Sequence, residues 1–439
     1  MLVEKRYWRF ILQGLMWLWL LPVCGISQST WEVVADHIDP SNYYGVTVAN
    51  GMIGIVSSPD PLKVKDVVLN GVYDNYQRGR VSNILKGFNH INMEMDINGQ
   101  RINRNNISDY VQTLDMRDAK LVTTFNFGDV HVRHEIMALR HLPYTALVSV
   151  TIENGSAPAD ITPMAVIEAP DHLIDVRNYY AEIDRPHVLI PLLTSVAKSP
   201  TGKQVIAASS SFIFPEPHGE KPDIIHEDWD YNRHLAKFKK HLAPGETYHF
   251  SIVASTCASA QYADPQNEAE RLTIFAALEG ETRLVNRHVA EWKKLWDTGN
   301  IFVDGDPDTE RDIRFALYHL YSFARAGTAY SLSPMGLSGL GYNGHVFWDT
   351  ELWMYPPLLM LQPEIAKSLL EYRFERLDAA RRNAFSHGYK GAMFPWESAA
   401  NGDEETPVWA LTGPFQHHIT PWAWQWSSCR KRKANAMCA

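Results

Sequence analysis

The chain has 439 residues, of which 45% are hydrophobic and 21% charged, with a formal net charge of -9. That length exceeds one ordinary core and predicts two or three domains, while the balance of apolar and charged residues excludes wholesale disorder and a multi-span membrane protein. The acidic balance also excludes a general nucleic-acid binder, which needs a concentrated basic surface.

The chain opens with Lys5, Arg6 and Arg9 ahead of an apolar run from Phe10 to Leu21. This is the layout of a secretory signal peptide over residues 1–27, with Gly25 and Ser27 placing cleavage before Gln28. The run is short for a transmembrane helix, so the expectation is export to a periplasmic or extracellular space with no stable membrane span after cleavage. Lipid attachment at Cys24 is the less favoured alternative, because Val23 stands where that signal wants a small residue. The remaining Cys257, Cys429 and Cys438 are odd in number and lack metal-ligand spacing, so neither a disulfide framework nor a metal site is expected.

From about Asn42 to about Ser255 the hydrophobic period is mostly two, the mark of strands with one buried face. Ile91, Met93, Met95 and Ile97 alternate with Asn92, Glu94, Asp96 and Asn98, and Asn98-Gly99 then supplies a hairpin turn. Further strands are predicted over Lys120 to Phe127, Val130 to Leu139, Ala146 to Glu153, Val205 to Phe214 and Thr247 to Ser255. Together they predict an N-terminal antiparallel β-sandwich over residues 28–270.

After Pro265 the period becomes helical. Val285, Val289, Trp292 and Trp296 give one apolar face, suited to a helical linker over residues 271–305 that lies across the sandwich. Asp306-Pro307 is a helix start with acidic Asp308 and Glu310 in the first turn, and Ile313, Leu317, Leu320 and Ala324 form its buried stripe. Pro363-Glu364 opens another helix, striped by Ile365, Leu369, Phe374 and Leu377, which Gly388 ends.

Between these helices lie Gly336, Gly339, Gly341 and Gly344, whose density predicts a loop whose backbone approaches something closely. Phe347-Trp348-Asp349-Thr350-Glu351 follows. Asp349 suits a helix N-cap as well as a sugar subsite, where an aromatic ring stacks on a pyranose and a carboxylate accepts from its hydroxyls. A second glycine-rich stretch runs from Gly388 through Lys390, Trp396, Glu397 and Ser398 to Asp403-Glu404-Glu405. Glycosidic cleavage needs a carboxylic proton donor, for which these acids are candidates; a solvated acidic turn is the simpler reading of that cluster by itself. Adjacent His417-His418 point in different directions on a helix and do not make a metal site.

Gly344-His345-Val346-Phe347-Trp348-Asp349-Thr350-Glu351, then Tyr389 to Ala399 and the Glu404-Glu405 pair, resemble glycoside hydrolase family 65 over roughly Trp31 to Thr420. That resemblance implies a β-sandwich, a helical linker and an (α/α)6 barrel, here the N-terminal part of one over residues 306–420. It implies that Trp348 and Asp349 hold the nonreducing glucose and that Lys390 and Trp396 line the same pocket. It places the general acid in the acidic pair, on Glu404 in a hydrolase-like alignment and on Glu405 in a phosphorylase-like one. The expected activity is that of an exported inverting α-glucoside hydrolase lineage acting on α-glucosyl disaccharides or oligosaccharides, without cofactor or metal. Export favours hydrolysis over phosphorolysis, because a sugar phosphate made outside the cell would have to be imported. A disaccharide phosphorylase lineage is one alternative; a truncated inactive remnant or sugar-binding module is another, because residues 421–439, with Pro421, Trp422, Trp424, Trp426 and a basic cluster, read as an aberrant tail. The family's catalytic base and phosphate-binding loop would lie beyond it.

Overall fold

A computed structural model describes residues 29–407 except 77–80, 218 and 231; the predicted signal peptide, His417, His418 and the tail lie outside the described residues. Three antiparallel sheets fill the first part of the chain. The largest has nine strands, in the order Glu32–Ala35, Ser108–Asp115, Lys120–Phe127, Val130–Ala138, Thr145–Glu153, Thr247–Ala258, Val205–Ile213, Val188–Lys198 and Ile174–Arg185. A six-stranded sheet centres on Asn89–Ile97 and Ala159–Glu168, and a four-stranded one joins Thr47–Ala49, Ile53–Ser57, Val64–Asn75 and Ser82–Lys86. Asn98 and Gly99 take positive φ values of 50° and 75° at their hairpin turn, as a tight hairpin of right-twisted strands requires. On the preceding strand the expected inward residues are buried, but so are Asn92 and Glu94. Both faces of this strand are covered, and the polar face is satisfied internally: Asn92 Oδ1 accepts from Val64 N at 2.8 Å, and Glu94 pairs with Arg101 and Arg233.

Helix α1, Pro265–Glu279, lies on the strands Val205–Ile213 and Thr247–Ala258. Helix α2, Glu281–Gly299, follows after a break at Gly280 and buries Leu284, His288, Trp292 and Trp296. Helix α3, Pro307–Phe323, starts where the sequence predicts, with Asp306 accepting from Thr309 N. Three shorter helices follow: α4 at Tyr355–Leu361, α5 at Pro363–Glu375 and α6 at Leu377–Ser386. The single helix expected after Pro363 is thus broken at Arg376, whose φ and ψ are -100° and 15°. Phe374, expected in the buried stripe, is 58% exposed, because the stripe continues from Ile365 and Leu369 to Tyr372 and Arg373 at helical spacing and leaves Phe374 on the other face. No helix among the described residues is long and apolar enough to cross a membrane.

One hydrophobic cluster runs without interruption from Ile53, Phe88 and Phe250 in the sheets to Trp292, Tyr318, Leu358 and Ile365 in the helices. Polar groups fasten the same seam. Buried Arg140 donates to Tyr321 O at 2.7 Å and Ala324 O at 3.0 Å, so a sandwich side chain satisfies carbonyls at the C-terminus of α3 and opposes the negative end of its dipole. His288 is fully buried, accepting from Arg140 N at 3.0 Å and donating to Asp118 O at 2.9 Å.

Burial pushes the His288 imidazole down to about 4 from its ordinary 6.5. Between those values the unfolded chain binds a proton that the folded chain refuses, so stability falls as pH drops through 6.5 and this contribution levels off below about 4. A His288→Gln variant is expected to lose less melting temperature between pH 7 and pH 4.5 than the parent; equal losses in thermal scans would contradict this.

Candidate active site

The loop from Leu332 to Gly344 approaches the sandwich closely, a contact that Gly344 in the loop and Gly54 in the sheet permit. A Cβ on Gly344, whose φ is +68°, would meet Ile84 Cγ2 at 2.2 Å, and one on Gly54 would meet Leu337 O at 2.2 Å. Tyr73 Oη donates to Gly344 O at 2.8 Å. Held there, the chain turns into a short antiparallel bridge: Val346 N donates to Ser398 O at 2.8 Å, and Ser398 N returns to Val346 O at 3.1 Å. Two residues beyond this bridge on one strand and two before it on the other stand opposite each other. They are Trp348 and Trp396, with ring centroids 5.6 Å apart and planes tilted by 51°. The structure therefore brings together two residues that the sequence reading placed in one pocket.

Asp349 does not cap the helix that follows. Its side chain makes no cap hydrogen bond and its own φ and ψ are helical, at -51° and -35°. Among the described residues its carboxylate has no hydrogen-bond or ion-pair partner, and Trp348 Nε1 is buried without one. A π-helical turn over Thr350–Met354 comes next, a distortion that recurs at functional sites. Glu351, by contrast, is committed to structure: Arg373, 4% exposed, donates to both its oxygens at 2.7 and 3.1 Å. The same guanidinium reaches Phe347 O at 3.0 Å and Ser398 Oγ at 3.3 Å, so it holds both sides of the bridge. Lys390 sits exposed on the Gly388–Gly391 turn without an ion-pair partner among the described residues.

The acidic pair has a different arrangement from the one expected. Glu404 Oε2 accepts from Trp396 N at 3.0 Å, and Oε1 accepts from Glu397 N at 3.4 Å, Thr406 N at 3.2 Å and the Thr406 hydroxyl. Both oxygens accept hydrogen bonds, so Glu404 staples its loop to the Trp396 strand. Glu405 Oε2 accepts from Ser82 N at 3.0 Å, which leaves Oε1 unengaged among the described residues. Asp403 pairs with Arg382 on the surface.

Sequence reasoning missed the buried pair His345 and Glu397. His345 Nε2 lies 2.6 Å from Ser82 O and Nδ1 lies 2.8 Å from Glu397 Oε2. A carbonyl can only accept, so Nε2 is the donor to Ser82 O. Ser82 thus clamps His345 through its carbonyl and Glu405 through its amide. The partners are 52 and 263 residues apart in the chain, so no local pattern reveals them.

An aromatic pair beside an unengaged carboxylate, on a sandwich-supported loop that enters a helical region, is the arrangement in which family-level comparison decides. Residues 45–295 match the N-terminal domain of glycosyl hydrolase family 65, and residues 314–426 match its central catalytic domain. The chain belongs to glycosyl hydrolase family 65. The second match runs past Thr420, where the sequence reading ended the family pattern. The chain is 54% identical to a kojibiose hydrolase of Mucilaginibacter mallensis over 90% of its own length and 58% of that protein. It is 53% identical to a kojibiose hydrolase of Flavobacterium johnsoniae, over 91% of its length and 59% of the relative. A kojibiose phosphorylase of Thermoanaerobacter brockii is 28% identical, over 90% of the chain and 56% of the relative. The chain therefore spans less than three-fifths of these relatives. The solved structure of a candidate kojibiose phosphorylase from the human microbiome shares its fold with a TM-score of 0.73 at 16% identity, covering 87% of this chain and 53% of that one.

Two stability outcomes follow for this family 65 site. Arg373→Leu leaves partly buried Glu351 without its partner and strips the donors from Phe347 O and Ser398 Oγ, and is expected to cost about 2–4 kcal/mol in denaturant unfolding; a loss below 1 kcal/mol would show that the bridge does not depend on it. Glu404→Gln, which points an amide donor at a backbone donor, is expected to lower the melting temperature, whereas Glu405→Gln keeps its acceptor for Ser82 and is expected to leave it nearly unchanged. The reverse order would contradict the staple.

Proposed function

We propose that the chain carries the glucose-holding half of an exported, inverting α-glucosyl disaccharide hydrolase, acting on kojibiose-like substrates. The observation that carries this reading is the carboxylate of Asp349, unengaged beside the facing rings of Trp348 and Trp396. A pyranose has apolar C–H faces that stack on indoles and hydroxyls that donate to an ionised acceptor. Lys390, exposed on the Gly388–Gly391 turn, is the residue that the family resemblance assigns to the same pocket, where it would supply a flexible donor. Identity above 50% to two kojibiose hydrolases supports hydrolysis of an α-glucoside over phosphorolysis, and the basic-then-apolar N-terminal sequence supports export. The reaction needs one carboxylic acid to protonate the leaving oxygen and one carboxylate to activate water. Neither metal nor organic cofactor enters it.

Glucose binding and turnover on kojibiose, nigerose, maltose and trehalose, with and without phosphate, test this reading. Asp349→Ala is expected to lose about 1.5–3 kcal/mol of affinity, the usual worth of a hydrogen bond to a charged group, which is roughly a ten- to hundredfold weaker dissociation constant. Turnover that strictly requires phosphate would refute the hydrolase assignment. Glucose binding without turnover would leave a sugar-binding module. Turnover retained in Glu405→Gln but lost in Glu404→Gln would put the proton donor on Glu404, and the reverse would put it on Glu405.

A further inference from the structure

A second pocket, of about 380 Å³, opens where the sandwich meets the helices, between Tyr144 on one side and Arg325, Thr328, Tyr330, Glu375 and Arg376 on the other. None of these residues belongs to the Trp348–Asp349 site. Two sandwich glycines let the wall form. A Cβ on Gly51, whose φ is +89°, would lie 2.5 Å from Arg325 Cβ, and one on Gly71, at φ +75°, would lie 2.2 Å from Tyr330 Cε1. Any other residue at either position would push a wall residue out, besides straining its own backbone.

The two arginines are fixed by carbonyls rather than by carboxylates. Arg325 Nη1 donates to Arg140 O at 2.7 Å and Asn50 O at 3.3 Å. Arg376 donates through Nε to Ala400 O at 2.8 Å and through Nη1 to Tyr372 O and Ala329 O at 3.2 and 3.3 Å. That leaves Nε and Nη2 of Arg325 and Nη2 of Arg376 without hydrogen-bond partners among the described residues. Tyr330 Oη accepts from Gln261 Nε2 at 3.3 Å, so its own proton is also free to be donated. The opposing charges are Glu375, which is exposed at the rim with its carboxylate 3.7 Å from Arg376 Nη1, and Glu291 near Arg325. Buried Arg140, itself bonded to Tyr321 O and Ala324 O, adds a third guanidinium behind the wall. Summed over these groups the pocket keeps a surplus of positive charge and of donors, with its guanidinium planes already oriented.

We propose that this pocket binds a small oxyanion, either inorganic phosphate or the carboxylate of an acidic sugar, at a site separate from the glucose-holding one. Both ligands present an anionic oxygen pair to a planar guanidinium donor. Calorimetric titration of the chain with inorganic phosphate, with glucuronate and with glucose separates the sources. One saturable site for phosphate or for glucuronate is expected, weakened by added salt, and the ligand that binds more tightly identifies the source. Arg376→Gln is expected to lower its affinity about tenfold, consistent with loss of one charge-assisted hydrogen bond. Arg376→Lys should restore part of that affinity. Tyr330→Phe, which keeps the ring against Gly71, is expected to lower it about threefold, and circular dichroism of each variant confirms that the fold is kept. Asp349→Ala should leave anion affinity unchanged while weakening glucose binding by the ten- to hundredfold expected above, so failure of one site is distinguishable from failure of the other. The proposal is overturned if neither anion binds saturably, if affinity is unchanged in both Arg376→Gln and Tyr330→Phe, or if Asp349→Ala removes the anion site.

Discussion

Two backbone hydrogen bonds between Val346 and Ser398 determine what the candidate site looks like. They join a loop that leaves α3 to a loop that leaves α6, and antiparallel geometry then sets Trp348 against Trp396. Everything else near the site serves to keep that bridge in register. Arg373 grips Phe347 O on one strand and Ser398 Oγ on the other. Glu404 ties the Trp396 backbone to the next turn. His345 and Glu397, directly beside the bridge, are bonded to each other across it. With so many buried groups committed to holding the loops, the unengaged carboxylate of Asp349 stands out as the acidic group available to a ligand.

The bridge is supported from outside the helical region. Ser82, at the start of a strand in the four-stranded sheet, accepts from His345 and donates to Glu405, and Tyr73 from the neighbouring strand holds Gly344. On the opposite side Arg140 completes the C-terminus of α3. The sandwich is thus part of the site's second layer of support, and the shared hydrophobic cluster makes its separation from the helices costly. This explains why the loops that bear the site can be rich in glycine without losing definition: close approach to a rigid sheet replaces the order that local propensity does not supply.

Much of the fold was legible because its determinants are local. Hairpin strands declare themselves by period and turn, so the predicted Lys120 to Phe127 strand is the observed one and the others differ by a few residues at their ends. Asp306-Pro307 likewise started a helix where expected. The break at Arg376 was not legible, since it depends on Arg376 reaching Ala400 O and Ala329 O across the structure. At the site, Trp348 stands out as a ring beside a carboxylate and Trp396 is assigned by the family resemblance, and the two do meet. The hydrogen bonds that Glu404 makes to Trp396 N and Thr406 N were not readable, because an acidic turn in the sequence carries no sign of which amides it will meet. His345 with Glu397, and Ser82 with Glu405, are pairings between distant parts of the chain, for which one sequence carries no signal.

The central claim is that the bridge builds a glucose platform from Trp348, Trp396 and Asp349. A crystal structure of the chain soaked in glucose tests it most directly. The account predicts the sugar stacked on at least one of the two indoles with a hydroxyl within hydrogen-bond distance of Asp349, about 2.5–3.0 Å, and the Val346–Ser398 bridge intact. Glucose bound elsewhere, or Asp349 turned away to cap the following helix while the indoles stay empty, would contradict it.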